Sequence, residues 1–229
     1  MDNNTFEPSS RKENIIDKKK VEIPNDFDID EIKKRFDEDV DYIKNCETLL
    51  RAQKGKKNGN FILFSKIVFI ESAFDFYLHE ISKYGITKIL RKEWQANENR
   101  IKFNISLKAL LEYMDETNYE EMFRAILNSE WSKAVFIDFE VFTDQINLIG
   151  IDKKELMKKS FPNEKDPGNY GKDFLIDLYK KRNHVVHQLM RKHIDAKREV
   201  LTKEYVNSAI DGVNSIANAI YDIIKNKVN

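Results

Sequence analysis

The sequence predicts an all-α protein, because two long segments repeat their apolar residues at helical spacing and a third is apolar over a length greater than that of a strand. The segment that starts at Asp28 and the segment that follows Thr202 are amphipathic, with one apolar face each. Residues 61–81 are apolar on nearly every side, and this length of about 21 residues exceeds a usual strand of 3 to 10. Only 7 glycines and 4 prolines interrupt the chain, which favours one compact helical domain.

The first third of the chain is predicted to contain an arm, a surface helix, a loop and a central helix. Residues 1–25 are polar, with too few apolar side chains to offset the entropy of ordering them, so they are expected to form a flexible arm. From Asp28 the apolar residues recur at spacings of three, four and seven, as in a helix on the surface of a bundle. Residues 55–59 place two glycines around a basic turn and predict a loop. Residues 61–81 then form the central helix.

The rest of the chain alternates shorter helices with breaks. Residues 106–114 and 119–127 are predicted to be short helices. Residues 131–150 are ambiguous, because part of this stretch could be extended while its second half ends at a glycine, as a helix does. Residues 166–169 contain proline and glycine and predict a loop before a helix over about 172–193. Thr202 has the chemistry of an N-cap for the last helix.

Composition limits the class of protein. Lys plus Arg and Asp plus Glu are equal, at 39 each, so any contact with RNA must be local. The single Cys46 excludes an intramolecular disulfide and a multi-thiolate metal site, and is typical of a reducing compartment. The chain begins without a signal pattern, and no apolar run approaches the roughly 20 residues of a membrane span. The prediction is a soluble, cytoplasmic protein with residues 26–229 as one helical domain.

Arg182 falls inside an apolar stripe of the helix predicted over residues 172–193. At about 100° per residue, the stripe consists of Phe174, Leu178, Val185 and Leu189. A guanidinium stays charged, so within an apolar face it needs a carboxylate, a phosphate or a hydrated interface groove. One explanation is a structural salt bridge, with Glu71 of the apolar helix as the obvious partner. The other is an arginine that binds phosphate.

Asn183 and His187 are four residues apart and share a helix face, whereas Arg182 and His187 are separated by about 140°. One regular helix therefore does not bring the arginine and the imidazole together. Either the segment lies at a helix end with different geometry, or the same segment of a second subunit completes the site, which predicts a homodimer. A histidine transfers protons near neutral pH, and an arginine stabilises a phosphate transition state. Together these groups suffice for metal-independent RNA cleavage.

Other patterns of reactive residues carry less information. His184 and His187 are three apart, which permits two imidazoles to share a metal, but no third ligand has a diagnostic spacing, so no metal or cofactor is expected. Gly-rich phosphate loops, a Gly-x-Ser-x-Gly elbow and His-Glu-x-x-His are absent, which leaves NTPase, α/β-hydrolase and zincin functions without support. The lysines that could follow an RNA backbone, or simply be solvated surface, are Lys54, Lys56, Lys57, Lys180 and Lys181.

The segment around Arg182 resembles the Arg-x(4–6)-His motif of the HEPN superfamily, in the form with Asn directly after Arg and an apolar residue before His. The matching residues are Lys181-Arg182-Asn183-His184-Val185-Val186-His187. The acidic residue among apolar ones at Glu71 looks like the family's early helix, and an amphipathic helix follows the motif. The type most resembled is the RiboL-PSP-HEPN ribonuclease domain. The resemblance covers residues 30–229, with no secure counterpart for 131–162.

This resemblance implies an all-α helical bundle that forms a two-fold dimer, with two Arg-His motifs in one cleft. It also implies a metal-independent endoribonuclease of a toxin-antitoxin, phage-defence or RNA-processing system, whose product carries a 2′,3′-cyclic phosphate. Arg182 would bind the scissile phosphate, His187 would act as general acid or base, and Asn183 would orient one of them. Glu71 and His184 would support them.

The implied partners are an RNA substrate, a second copy of the chain and a cognate antitoxin or other protein, with no membrane. Two further interpretations stay open. One is a catalytically silent HEPN-like module that binds a nucleotide, RNA or a protein partner. The other is a helical scaffold in which the Arg182 to Glu71 bridge is purely structural.

Overall fold

Helices form the regular structure of the computed structural model, which describes residues 28–51, 59–95, 107, 111, 119–132, 134–192 and 194–228. Within these residues there are seven helices and no β-strand beyond one isolated bridge, so the predicted all-α class is confirmed. The helices are α1 (Ile29–Arg51), α2 (Gly59–Leu90), α3 (Tyr119–Trp131), α4 (Phe139–Leu148), α5 (Lys153–Ser160), α6 (Pro167–Gln188) and α7 (Lys203–Val228). None of the helices in these described stretches is long and apolar enough to cross a membrane.

The helix α2 lies at the centre and contacts α1, α3, α4, α6 and α7. Its Phe74 ring is fully buried and lies 6.4 Å from the ring of Phe36 in α1 and 6.3 Å from that of Phe142 in α4. A helix that is apolar on nearly every side needs neighbours on nearly every side. The central helix predicted over residues 61–81 is confirmed, and it extends to Leu90.

Short polar side chains begin α4, α5 and α7, as another does for α6. The carboxylates of Asp138 and Asp152 accept backbone N–H groups at the starts of α4 and α5, and the Thr202 hydroxyl accepts the N–H of Tyr205 at 3.1 Å at the start of α7. Each cap satisfies an N–H group that has no partner inside its helix. In the ambiguous stretch 131–150, Trp131 ends α3, the described residues 134–138 are not helical, and α4 follows from Phe139. The cap predicted at Thr202 is confirmed.

Both ends of α6, the helix that carries the motif, differ from the predicted range 172–193. The prediction of a loop at 166–169 is wrong from Pro167 onward, because the Asp166 carboxylate caps the helix and Pro167 occupies its first turn, where no N–H is needed. The helix ends at Gln188 because Leu189 and Met190 adopt left-handed backbone conformations, with φ of 46° and 60°. Glycine usually occupies such a position, so no residue type in the sequence signals this end.

Several predicted segments lie outside the described residues and stay predictions. They are the arm at 1–25, most of the loop at 55–59 and nearly all of the helix at 106–114. Helix α5 has no counterpart among the predicted segments; it has only eight residues and buries Leu156 and Met157. Helix α3 runs to Trp131, one turn beyond its predicted end.

Candidate functional site

Arg182 lies in the last third of α6 with its guanidinium against Glu71 of α2. Arg182 Nε is 3.1 Å from Glu71 Oε2, and the side chains of Arg182 and Glu71 are 27% and 2% exposed. The carboxylate suggested by the sequence is thus the one found. Among the described residues, neither Nε of Arg182 nor Oε1 of Glu71 has a hydrogen-bond partner. The contact is therefore an ion pair without a well-directed N–H to carboxylate bond.

The Glu71 carboxyl does not fully balance the charge of Arg182. Burial raises the pKa of Glu71 from 4.5 to about 7, and the charge of Asp75 adds to the rise, while the charge of Arg182 opposes it. A carboxyl whose pKa is raised in this way balances a neighbouring cation less fully than a carboxylate with an ordinary pKa. Arg182 keeps positive charge that an anion such as a phosphate group is able to neutralise.

Arg182 also lines a cleft of about 360 Å³ between α2, the end of α3 and the turn before α4. The carboxylate of Asp75 in this cleft accepts the backbone N–H groups of Phe136 and Ile137. The His79 ring stacks on Phe136, with 3.8 Å between ring centroids. Asp75 and His79 thereby hold the turn that leads into α4, which gives the otherwise unassigned His79 a structural role.

His187, Asn183 and His184 line a second and larger cleft, of about 960 Å³, on another face of α6. The His187 side chain is exposed and forms no hydrogen bond or ion pair within the described part of the chain. His184 is engaged, with Nε2 3.0 Å from the carbonyl oxygen of Arg191 and Nδ1 4.0 Å from Glu199 Oε2. Asn183 and His184 are thus held by neighbouring groups of the described chain, whereas the His187 side chain is accessible from the cleft.

A single copy of the chain keeps Arg182 and His187 in separate clefts, in line with their angular separation on an ideal helix. Asn183 lies between them. Its Oδ1 accepts a hydrogen bond of 2.9 Å from Arg182 Nη1, while the residue lines the same cleft as His187. Asn183 therefore fixes Nη1 of the guanidinium, while Nε of the same group faces Glu71.

The lysines suggested as RNA contacts have different surroundings. Lys180 lines the cleft of His187, whereas Lys181 Nζ is 3.2 Å from Glu199 Oε2, and this hydrogen bond lowers the pKa of Glu199. The remaining three predicted lysines, Lys54, Lys56 and Lys57, lie outside the described residues.

Sequence reasoning missed Lys172, which lines the cleft of His187 together with Lys180. Its spacing of eight residues from Lys180 and fifteen from His187 places all three near one helix face, a signal that was present within the helix predicted over residues 172–193. Among the described residues no group of three His, Cys, Asp or Glu side chains is placed to hold a metal ion.

The arrangement offers one anion-binding group and one proton-transfer group on the same helix. Arg182 presents a partly balanced cation, and His187 presents an exposed imidazole in the neighbouring cleft. Comparison of the chain with protein-family models, with curated proteins and with solved structures finds no match in any of the three.

Proposed function

We propose that the protein is a metal-independent endoribonuclease of HEPN type, serving a toxin-antitoxin or phage-defence system, with an active site shared by two copies of the chain. A proton-transfer group and a phosphate-binding cation together suffice for cleavage of an RNA phosphodiester without a metal. The observation that carries this proposal is that α6 bears two such groups. His187 is exposed and has no hydrogen bond or ion pair with a described residue, and Arg182 carries a charge that Glu71 only partly neutralises.

In the proposed reaction, neutral His187 accepts the proton of the ribose 2′-hydroxyl. The 2′-oxygen then forms a bond to phosphorus while the bond from phosphorus to the 5′-oxygen breaks. A water molecule donates a proton to the departing 5′-oxygen, and His187 returns the proton it accepted to solvent. The products are a 2′,3′-cyclic phosphate and a 5′-hydroxyl. Arg182 binds the phosphoryl oxygens and stabilises their increased charge in the transition state, and Asn183 orients the guanidinium.

A second copy of the chain accounts for the separation of the two groups. Because Arg182 and His187 of one chain open into different clefts, the site combines Arg182 of one copy with His187 of the other. The surroundings of Arg182 support such an interface: Phe76 and Val135 line its cleft and are 54% and 37% exposed, and Val186, one helical turn beyond Arg182, is 45% exposed. Exposed apolar groups next to a polar pocket are typical of an interaction surface.

The first test is cleavage of total RNA in EDTA by the wild type and His187→Ala, at equal folding and equal dimer content. Cleavage by the wild type and none by the variant is the expected result. Asn218→Ala, which changes an exposed polar residue on α7, serves as the control and should cut like the wild type. A His187→Ala protein that cuts at the wild-type rate would exclude His187 as the proton-transfer group.

A mixing experiment tests whether the site is shared. Arg182→Ala and His187→Ala proteins are each expected to be inactive, but after subunit exchange a mixed dimer has one site with both groups intact. Random exchange then restores about a quarter of wild-type activity. If each chain contained its own complete site, every site in the mixture would lack one group and no activity would return.

The pair formed by Arg182 and Glu71 favours a second candidate, a catalytically silent module or scaffold in which the arginine is structural. On this alternative, Arg182→Ala destabilises the protein by several kcal/mol, as expected when a buried charge loses its partner, and no RNA is cut. A wild type that binds RNA or a nucleotide without cutting it would identify the binding module. A wild type that neither binds nor cuts RNA or a nucleotide would favour the helical scaffold.

A further inference from the structure

One face of α6 carries a continuous row of side chains along the larger cleft. Lys172, Ile176, Lys180, Asn183 and His187 follow one another at spacings of four, four, three and four residues, and all of them line this cleft. Residues at these spacings are neighbours on a helix surface. At 1.5 Å per residue the row is about 22 Å long, so it extends well beyond the immediate surroundings of His187.

The cations of this row are free to meet a ligand. Lys180 is exposed and has no hydrogen bond or ion pair within the described chain. Lys172 Nζ lies 5.9 Å from the centre of the Phe139 ring, and Lys153 Nζ of α5 lies 5.1 Å from the centre of the same ring. On the facing wall, the Asp138 carboxylate is occupied in capping α4, which leaves Glu140 as the exposed acid. The α6 wall is therefore positively charged.

Between the lysines the cleft is apolar. Ile176, Tyr179 and Phe139 line it and are half-buried. A surface that alternates ammonium groups with apolar and aromatic side chains matches single-stranded nucleic acid, which exposes both its phosphates and the faces of its bases. A duplex exposes phosphates but hides its base faces, so it would use only the lysines.

We infer that this cleft holds the substrate as a single strand of RNA, with its phosphates on Lys172 and Lys180 and its bases over Ile176 and Tyr179, leading toward His187. The cleavage step rests on the proposed function, whereas the binding step is tested separately. Lys172 and Lys180 are binding residues here, since neither contacts the reacting atoms.

The binding test uses the full-length chain and a labelled, unstructured 2′-O-methyl RNA of about 12 nucleotides, which lacks the attacking hydroxyl. Anisotropy titrations at several salt concentrations give the affinity and its salt dependence. The double variant Lys172→Gln with Lys180→Gln should bind at least about tenfold more weakly, and its slope of log K against log salt should be shallower by about 1.4, or about 0.7 for each lost phosphate contact. Lys158→Gln with Lys165→Gln, two exposed lysines outside the cleft, is the matched control and should change neither quantity.

Each outcome separates this inference from the proposed function. Wild-type affinity and slope in the Lys172 and Lys180 variant would overturn the cleft inference, even if the protein cuts RNA. Equal or tighter binding of a duplex of the same sequence, or no binding of the strand by the wild type, would overturn it as well. If the strand binds through these lysines but unmodified RNA stays intact in EDTA, the cleft inference stands and the nuclease proposal fails.

Discussion

The substitution Glu71→Gln should change how the stability of the protein depends on pH. In the folded protein burial raises the pKa of Glu71 to about 7, against the opposing charge of Arg182, while the carboxyl of the unfolded chain titrates near its ordinary 4.5. Between these two values the folded state binds more protons than the unfolded state, so the free energy of unfolding falls as pH rises. This contribution is fully present below about pH 4.5 and is lost as pH rises through about 7.

The two pKa values set the magnitude of the effect. At about 1.4 kcal/mol per pH unit between the two pKa values, the wild type loses roughly 2 to 3 kcal/mol of stability from this carboxyl between about pH 5 and about pH 8. Glutamine does not titrate, so Glu71→Gln lacks this loss. The altered contact with Arg182 shifts the stability of the variant by the same amount at both pH values, because the guanidinium stays charged throughout.

Urea unfolding of the wild type and Glu71→Gln at about pH 5 and about pH 8 measures the effect. For each protein the change in the free energy of unfolding between the two pH values is determined. The contributions of the other titrating groups cancel when the change in the variant is subtracted from the change in the wild type. Arg182→Met provides a second check. The charge of Arg182 lowers the pKa of Glu71, so its removal should move the loss of stability to higher pH. Parallel pH dependences in the wild type and Glu71→Gln, within about 0.5 kcal/mol, would refute the assignment of a titrating buried carboxyl at Glu71.

Three further substitutions test the contacts of α2 and the role of the His187 side chain. Gly85→Ala should destabilise the protein by about 1 to 3 kcal/mol, because an added Cβ would lie 2.7 Å from Cβ of the branched Ile149. Thermal unfolding measures this loss. A variant as stable as the wild type would show that the backbones of Gly85 and Ile149 lie further apart. Asp75→Ala should lower the free energy of unfolding by about 2 kcal/mol or more, because the Asp75 carboxylate accepts two backbone N–H groups of the turn before α4. The amides of Phe136 and Ile137 should then exchange hydrogen faster. Unchanged protection of these two amides would contradict the role of Asp75 in holding the turn. His187→Ala should alter the free energy of unfolding by less than about 0.5 kcal/mol, since the side chain is exposed and has no hydrogen bond or ion pair with a described residue. Urea unfolding measures this change. A larger loss would make His187 a structural residue.

Local patterns in the sequence were sufficient to predict the helical class and the position of the central helix. The period of an amphipathic helix is a property of a single segment, and the length of residues 61–81 excluded a strand. The same geometry placed Arg182 in an apolar stripe and at about 140° from His187. Angular positions on one helix need no knowledge of its neighbours, and the two residues accordingly line different clefts.

The ends of α6 were less accessible to prediction. The start at Pro167 was readable in principle, because an aspartate followed by proline is a helix-start signal as well as a turn signal. The end at Leu189 was not, since a leucine and a methionine adopt the left-handed conformations there. The full burial of Met190 holds this end of the helix, and burial of that kind comes from residues remote in sequence.

The sequence by itself determined that Arg182 needs a partner and that Glu71 is a suitable one. Only the tertiary structure decided that the two meet, and that burial raises the pKa of Glu71 to about 7, which leaves the arginine charge partly unbalanced. It also decided that Lys172 joins Lys180 and His187 along one cleft, facing the start of α4. The physical reason is that burial and electrostatic coupling depend on distances between α2, α4 and α6, and a local sequence pattern does not encode these distances.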